Sequence, residues 1–175
     1  MRRAAFFFAS VFLGPLSCVV GCGDPQRSHA IDALGGEQAG VPPGPLHRPG
    51  QPCGACHSGA GPGGLEFSLA GTVYQSPTST TPLVDAVVFF EDGAGRQFQT
   101  ATNCAGNFFV VPDDFEPAWP VFTKVLFAGL ETPMSTPIYR ANSCTTCHSN
   151  PEGPASVGQV YFAPPGFTFP PSGCP

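Results

Sequence analysis

Two pentapeptides carry the chemistry of this chain: Cys53-Gly54-Ala55-Cys56-His57 and Cys144-Thr145-Thr146-Cys147-His148. Both read C-x-x-C-H. On one turn of helix-like backbone, residues three apart share a face, so the two thiols reach neighbouring groups on one edge of a flat ligand. The histidine that follows turns its imidazole over the same ligand. This is the pattern that attaches a c-type haem, with two cysteine sulfurs on the vinyl groups and histidine on the iron. With 8 Cys and 4 His in 175 residues, chance supplies on the order of 0.01 such pentapeptides. The two copies therefore share a role. Cys53, Cys56, His57, Cys144, Cys147 and His148 are expected to bind two haems, with His57 and His148 on the metal. The same residues also admit zinc: Cys53, Cys56, Cys144 and Cys147 could close one tetrahedral four-thiolate site. A redox dithiol would want a thioredoxin-like βαβ pattern, which is missing. Histidine directly after the second cysteine, in both copies, favours haem, because an all-cysteine zinc site has no use for it.

A haem that only carries electrons usually has a second axial ligand, His or Met. His47 stands six residues before Cys53, and Met134 ten before Cys144. Both are candidate ligands, and His29 lies too far into the N-terminal segment. Each candidate also has an ordinary reading, as a solvated linker histidine and a gap-filling methionine. If both bind, the first haem has the lower potential, since Met raises it relative to His. Of the other cysteines, Cys18 and Cys22 lie in the N-terminal segment, which leaves Cys104 and Cys174. An even remainder in an exported chain points to one disulfide, pinning the Pro-rich tail to the loop after the third strand; two free thiols are the alternative.

The elements that position these groups are strands. Glycine and proline number 22 each, roughly twice average usage together. Charged residues are 11% against about 25% in ordinary domains, which excludes long charged surface helices. The single lysine, Lys124, and a net charge of −5 exclude a nucleic-acid binder. A 42% hydrophobic chain with 16 Phe is not disordered throughout. Residues 65–75 alternate apolar and polar, and 84–91, 96–102, 107–111, 119–127 and 158–162 read as further strands, with Asp92-Gly93-Ala94-Gly95 as a hairpin turn. The expected fold is mainly β: a small Ig-like or transthyretin-like sandwich, with helical turns only at the C-x-x-C-H motifs and irregular Pro/Gly-rich termini. Residues 22–50 read as a flexible tether and 51–175 as the folded domain, with its core over 65–130. In a sandwich the two motifs, which flank the core, are expected to meet at one end. Asp113, Asp114 and Glu116 lack EF-hand spacing and read as a solvated turn. No Ser/His/Asp set, phosphate loop or catalytic carboxylate pair is present, so the chain does not read as an enzyme.

Three resemblances extend this reading. Met1-Arg2-Arg3 followed by the apolar residues 4–16 is an export leader, and Val19-Val20-Gly21-Cys22 resembles the lipobox of bacterial lipoproteins. That resemblance implies loss of residues 1–21, diacylglycerol on the Cys22 sulfur and an acylated amine. Such a protein is held on the cell envelope, at its periplasmic or outer-membrane face. Cleavage would remove two arginines and no acid, taking the net charge from −5 to about −7, which favours a redox partner with a basic patch. Residues 69–111 resemble a carboxypeptidase regulatory-like domain, with its transthyretin-like sandwich. The resemblance rests on Gly71 and Val73, the run 82–88, Gly95, Thr100, Thr102 and Gly106-Asn107-Phe108. Asn103-Cys104 departs from it, where the family has Asp; the match implies a scaffold and no activity. The two pentapeptides alone are similar to the multihaem c-type cytochromes; the packed helices of small single-haem cytochromes are absent. Together these imply a lipid-anchored dihaem electron carrier. The rivals are a zinc-stabilised structural or adhesive lipoprotein and, last, a haem enzyme with an open sixth position.

Overall fold

The computed structural model describes residues 24–37, 39–41, 43–149, 154–164 and 166–174. The leader, Cys18 and the lipid-acceptor candidate Cys22 lie outside them. The fold is mainly β, with two antiparallel sheets of two and four strands. β1 (Leu69–Thr72) pairs with β4 (Asn107–Val110). The larger sheet runs in the order β3 (Gln97–Ala101), β2 (Val87–Glu91), β5 (Phe122–Phe127), β6 (Leu130–Pro133).

Alternation explains the larger sheet. On β2, Val88 and Phe90 point inward while Val87, Phe89 and Glu91 are half-exposed, the period-two pattern of a strand with one buried face. β1 is buried at all four positions, which requires a cover on both faces. One cover is the hydrophobic core, where Leu69, Val73, Val88, Phe90, Phe108 and Phe162 meet. The other is the segment before the first C-x-x-C-H motif, where Gly50 N–H donates to Thr72 Oγ1, while the second motif takes the free edge of β1 through the Ala70–Ser143 bridge. Each large apolar side chain sealed here contributes about 1.5–3 kcal/mol. The Cys104–Cys174 disulfide ties the tail to the loop before β4, across a separation of 70 residues.

Several boundaries differ from the sequence reading. The first strand narrows to 69–72, and the fifth starts at Phe122, after Pro120. Residues 158–162 make a short annex rather than a full strand: Tyr74 N–H donates to Val160 C=O at 2.9 Å and Phe162 N–H to Tyr74 C=O at 3.0 Å. β6 was not expected. It follows β5 through Ala128-Gly129, both at positive φ (49° and 78°), the tight hairpin turn usually marked by Asn-Gly or Asp-Gly. Inside the expected tether, α1 (Pro25–Ala33) forms a nine-residue helix. It has no apolar face to betray it. Asp24 caps it by accepting from the N–H groups of Gln26 and Arg27, and Pro25 opens it. Among the described residues no helix is long and apolar enough to cross a membrane.

Candidate functional site

At the first motif the chain makes a single helical turn, α2 (Cys53–Cys56), closed by His57 N–H donating to Cys53 C=O at 2.9 Å. The loop after it folds back on the histidine. Gly63 N–H donates to Cys56 C=O at 2.7 Å, and Phe67 N–H to His57 C=O at 2.8 Å. That return brings the Leu65 carbonyl to 2.7 Å from His57 Nδ1. A carbonyl can only accept, so Nδ1 carries the proton and the Nε2 lone pair is left for a metal. A side chain at Gly63 would obstruct this, because a Cβ there would stand 2.5 Å from Nδ1. The imidazole also stacks on Phe67 at 4.1 Å and 14°, and Phe67 on Phe109 at 5.0 Å.

Beside α2 opens a cavity of about 630 Å³, lined by Cys53, Cys56, His57, His47, Phe67 and Phe109, with Leu34, Pro43 and Pro45. This is the size and apolar character of a cofactor site. Its outer wall is the end of the expected tether, which is bonded onto β1 and β4. Gly50 N–H donates to Thr72 Oγ1 at 2.8 Å, and Thr72 Oγ1–H to Asn107 Oδ1 at 2.7 Å. Asn107 Nδ2 donates to His47 C=O at 2.9 Å, and Asn103 Nδ2 to Pro45 C=O at 2.7 Å. Farther back, Arg27 Nη1 donates to Ser58 C=O at 2.9 Å, and Arg48 pairs with Glu37 at 2.7 Å. His47 is thus held facing His57, ring centroids 5.9 Å apart and 21° from parallel. Its Nδ1 accepts from Gly44 N–H at 3.2 Å, so binding metal through Nε2 would mean giving up that long bond.

The second motif repeats the first. A 3-10 turn, Cys144–Thr146, is closed by His148 N–H donating to Cys144 C=O at 2.8 Å. His148 Nδ1 lies 2.8 Å from the Gly158 carbonyl, so it too presents a free Nε2. Val157 N–H donates to Cys147 C=O at 3.0 Å. The turn lies against β1: Ala70 N–H donates to Asn142 C=O at 2.8 Å, and a Cβ on Gly71 would stand 2.9 Å from Cys144 Sγ. Burial pushes the Cys144 thiol up to about 12, with Cys53 nearby adding to it. Burial likewise raises the Cys53 thiol.

The two motifs are neighbours, as their positions flanking the core led one to expect. A Cβ on Gly54 would stand 2.7 Å from Asn142 Oδ1, and Asn142 Nδ2 donates to Phe67 C=O at 3.0 Å. Cys53, Cys56 and Cys144 are half-buried and Cys147 is exposed; none of the four is in a disulfide. Among the described residues no three His, Cys, Asp or Glu side chains gather as a metal-ligand set. Met134 is not brought to the second motif: it follows β6, its N–H donating to Thr123 C=O at 3.0 Å, in the other sheet. Asp113, Asp114 and Glu116 are exposed beside a turn in which Asp114 N–H donates to Val111 C=O at 3.0 Å. Sequence reasoning missed Phe67, Thr72, Asn107 and the two carbonyls. The one available signal was the glycine-rich run 59–64, which is what lets the loop return to His57.

The donor set fits a covalently held haem at each motif: two thiols, one imidazole with Nε2 free, and, at the first, an apolar cavity. No family model, no curated protein and no solved structure matches the chain.

Proposed function

We propose that the chain is a dihaem c-type electron carrier of the cell envelope, lipid-anchored through Cys22, built on a regulatory-like β-sandwich. One observation carries the reading: in both motifs the histidine Nδ1 is bonded to a backbone carbonyl, eight residues on in the first and ten in the second. A zinc site made of the four thiols would not need either imidazole oriented. A haem bound here supplies reversible one-electron exchange at iron.

The chain's own residues do the rest. Cys53 and Cys56, and likewise Cys144 and Cys147, would hold a haem covalently, each thiol adding S–H across one vinyl group, sulfur to one carbon and hydrogen to the other, with no oxidant required. His57 and His148 would hold the iron through Nε2, the Leu65 and Gly158 carbonyls fixing the tautomer by accepting from Nδ1–H. Phe67 and Phe109 would give the first site an apolar wall. Asn107 and Thr72 hold His47 over the same cavity as its candidate sixth ligand. The adjacency of the motifs across Gly54 and Asn142 favours exchange between the two haems. The acidic chain suits a partner with a basic patch.

The test is a haem stain, a pyridine haemochrome spectrum and an intact mass, on protein matured with c-type attachment machinery. A mass higher by two haems is expected. A colourless chain holding about one zinc, as a four-thiolate site would, would replace the carrier with a zinc-pinned structural or adhesive lipoprotein.

A further inference from the structure

One side chain, that of Asn142, crosses from the approach to the second motif into the first. Asn142 stands two residues before Cys144. Its main chain is fixed on β1: Ala70 N–H donates to Asn142 C=O at 2.8 Å, and the next residue, Ser143, is 2% exposed. Its Nδ2 donates to Phe67 C=O at 3.0 Å. A carbonyl only accepts, so the amide oxygen is the atom turned to Gly54. A Cβ on Gly54 would stand 2.7 Å from that oxygen. Only glycine fits there, at the position where the second motif has Thr145. Phe67 is in turn tied to His57 twice. Its N–H donates to His57 C=O at 2.8 Å, and its ring stacks on the imidazole at 4.1 Å and 14°. Two residues before Phe67, the Leu65 carbonyl holds His57 Nδ1 at 2.7 Å.

We propose that Asn142 is a positioning residue for the first site: it sets the orientation of His57 through Phe67, and so makes the first site depend on the segment that carries the second. The consequence at a metal rests on the dihaem reading above; the contact between the motifs does not. Without the Nδ2 donor, the loop that returns from His57 to Phe67 loses its anchor on that segment. The Leu65 bond to Nδ1 then lengthens, and an imidazole with a weaker hydrogen-bond partner is a poorer donor to iron. The reduced metal is favoured, which is a higher potential.

Asn142→Ala, which removes the donor and adds no charge, is the test, in two measurements. The first is amide hydrogen exchange at Phe67 in the full-length chain before cofactor attachment. Exchange faster by roughly threefold to tenfold is expected there, the loss of one such bond, with the β2 and β5 amides unchanged. Asn142→Asp, which keeps the shape and loses the donor at neutral pH, should do the same and decides the matter if Asn142→Ala does not fold. An unchanged Phe67 rate would overturn the proposal. So would equal loss of protection in β2 and β5, which would make Asn142 a general support of the fold. The second measurement is the potential of matured protein, with haem counted by intact mass. The Cys144→Ala/Cys147→Ala chain carries only the first haem, and the Cys53→Ala/Cys56→Ala chain only the second. Adding Asn142→Ala should raise the potential in the former and leave it in place in the latter. A shift confined to the second haem, or equal at both, would overturn the proposal. A chain that takes no haem would end the dihaem reading and leave the exchange rates to decide the role of Asn142.

Discussion

His57 owes its orientation to main chain, so its weak point is a glycine rather than a polar partner. Gly63→Ala places a methyl 2.5 Å from Nδ1 and 2.7 Å from the Cys56 carbonyl, and the returning loop must move away. On the proposed dihaem reading, the first motif should then lose most of its haem while the second keeps its own, read as a shift of intact mass from two haems to one. Asp92 is the opposite case, an acid sealed in a turn at 2% exposure. Its Oδ2 accepts from Ala118 N–H at 3.0 Å and from Arg96 Nε at 2.9 Å, and its Oδ1 from the N–H groups of Arg96 and Ala94. These bonds, that from Ala118 foremost, hold its pKa down at about 2 against the opposing cost of burial. The folded value is below the unfolded one of about 3.9. The stabilisation is therefore whole above about pH 4 and is lost as pH falls through about 2. Asp92→Asn should be less stable at neutral pH, and its urea midpoint should approach that of the unaltered chain toward pH 2. The C-x-x-C-H candidates stand out in the sequence because their side chains recur at fixed spacing. The Leu65 and Gly158 carbonyls do not, since every residue carries one and only the loop path selects it.

At the scale of elements, legibility follows the turns. The β2–β3 hairpin was readable from alternation plus Asp92-Gly93-Ala94-Gly95. β6 was not, because Ala128 sits at φ 49°, where a non-glycine residue is disfavoured by roughly 1–2 kcal/mol. The hairpin forms because β5 and β6 pair from Phe127↔Leu130 to Lys124↔Pro133. Ala128→Asn, which tolerates that conformation, should raise the urea midpoint by about 0.5–1 kcal/mol equivalent. No gain would mean that β6 frays and the turn is not formed in solution. α1 escaped notice for a different reason: its start is written in a cap, Asp24-Pro25, but its faces carry no apolar stripe. Composition alone made residues 22–50 look like a tether, yet 43–51 are bonded to Thr72, Asn103 and Asn107. The partners on the sheet lie far along the chain, beyond the reach of any local pattern.

At the scale of the whole molecule, a small two-sheet core must hold the two C-x-x-C-H turns and a wall that carries His47. Closing the 70-residue separation between Cys104 and Cys174 removes loop entropy from the unfolded chain worth about 4 kcal/mol in the chain-entropy model. Against a total of about 5–15 kcal/mol for an ordinary domain, that is a large share. The bridge also stands next to Asn103, whose side chain holds Pro45 in the cavity wall. Cys104→Ser/Cys174→Ser should therefore unfold at markedly lower urea, by about 3–4 kcal/mol. A reductant acting on the unaltered chain should reproduce the loss. On the dihaem reading, if the disulfide serves only the unfolded state, the haem spectrum of the folded variant below its transition should match that of the unaltered chain. If it also holds the wall, the first haem alone should change, gaining a carbon monoxide site as His47 leaves, while the second is unmoved. The distinction matters because the entropic effect is indifferent to where the bridge lies, whereas the wall effect depends on Cys104 adjoining Asn103. A variant that binds carbon monoxide at the first haem while still folded would make the tail part of the site, coupling one end of the chain to the ligand set at the other.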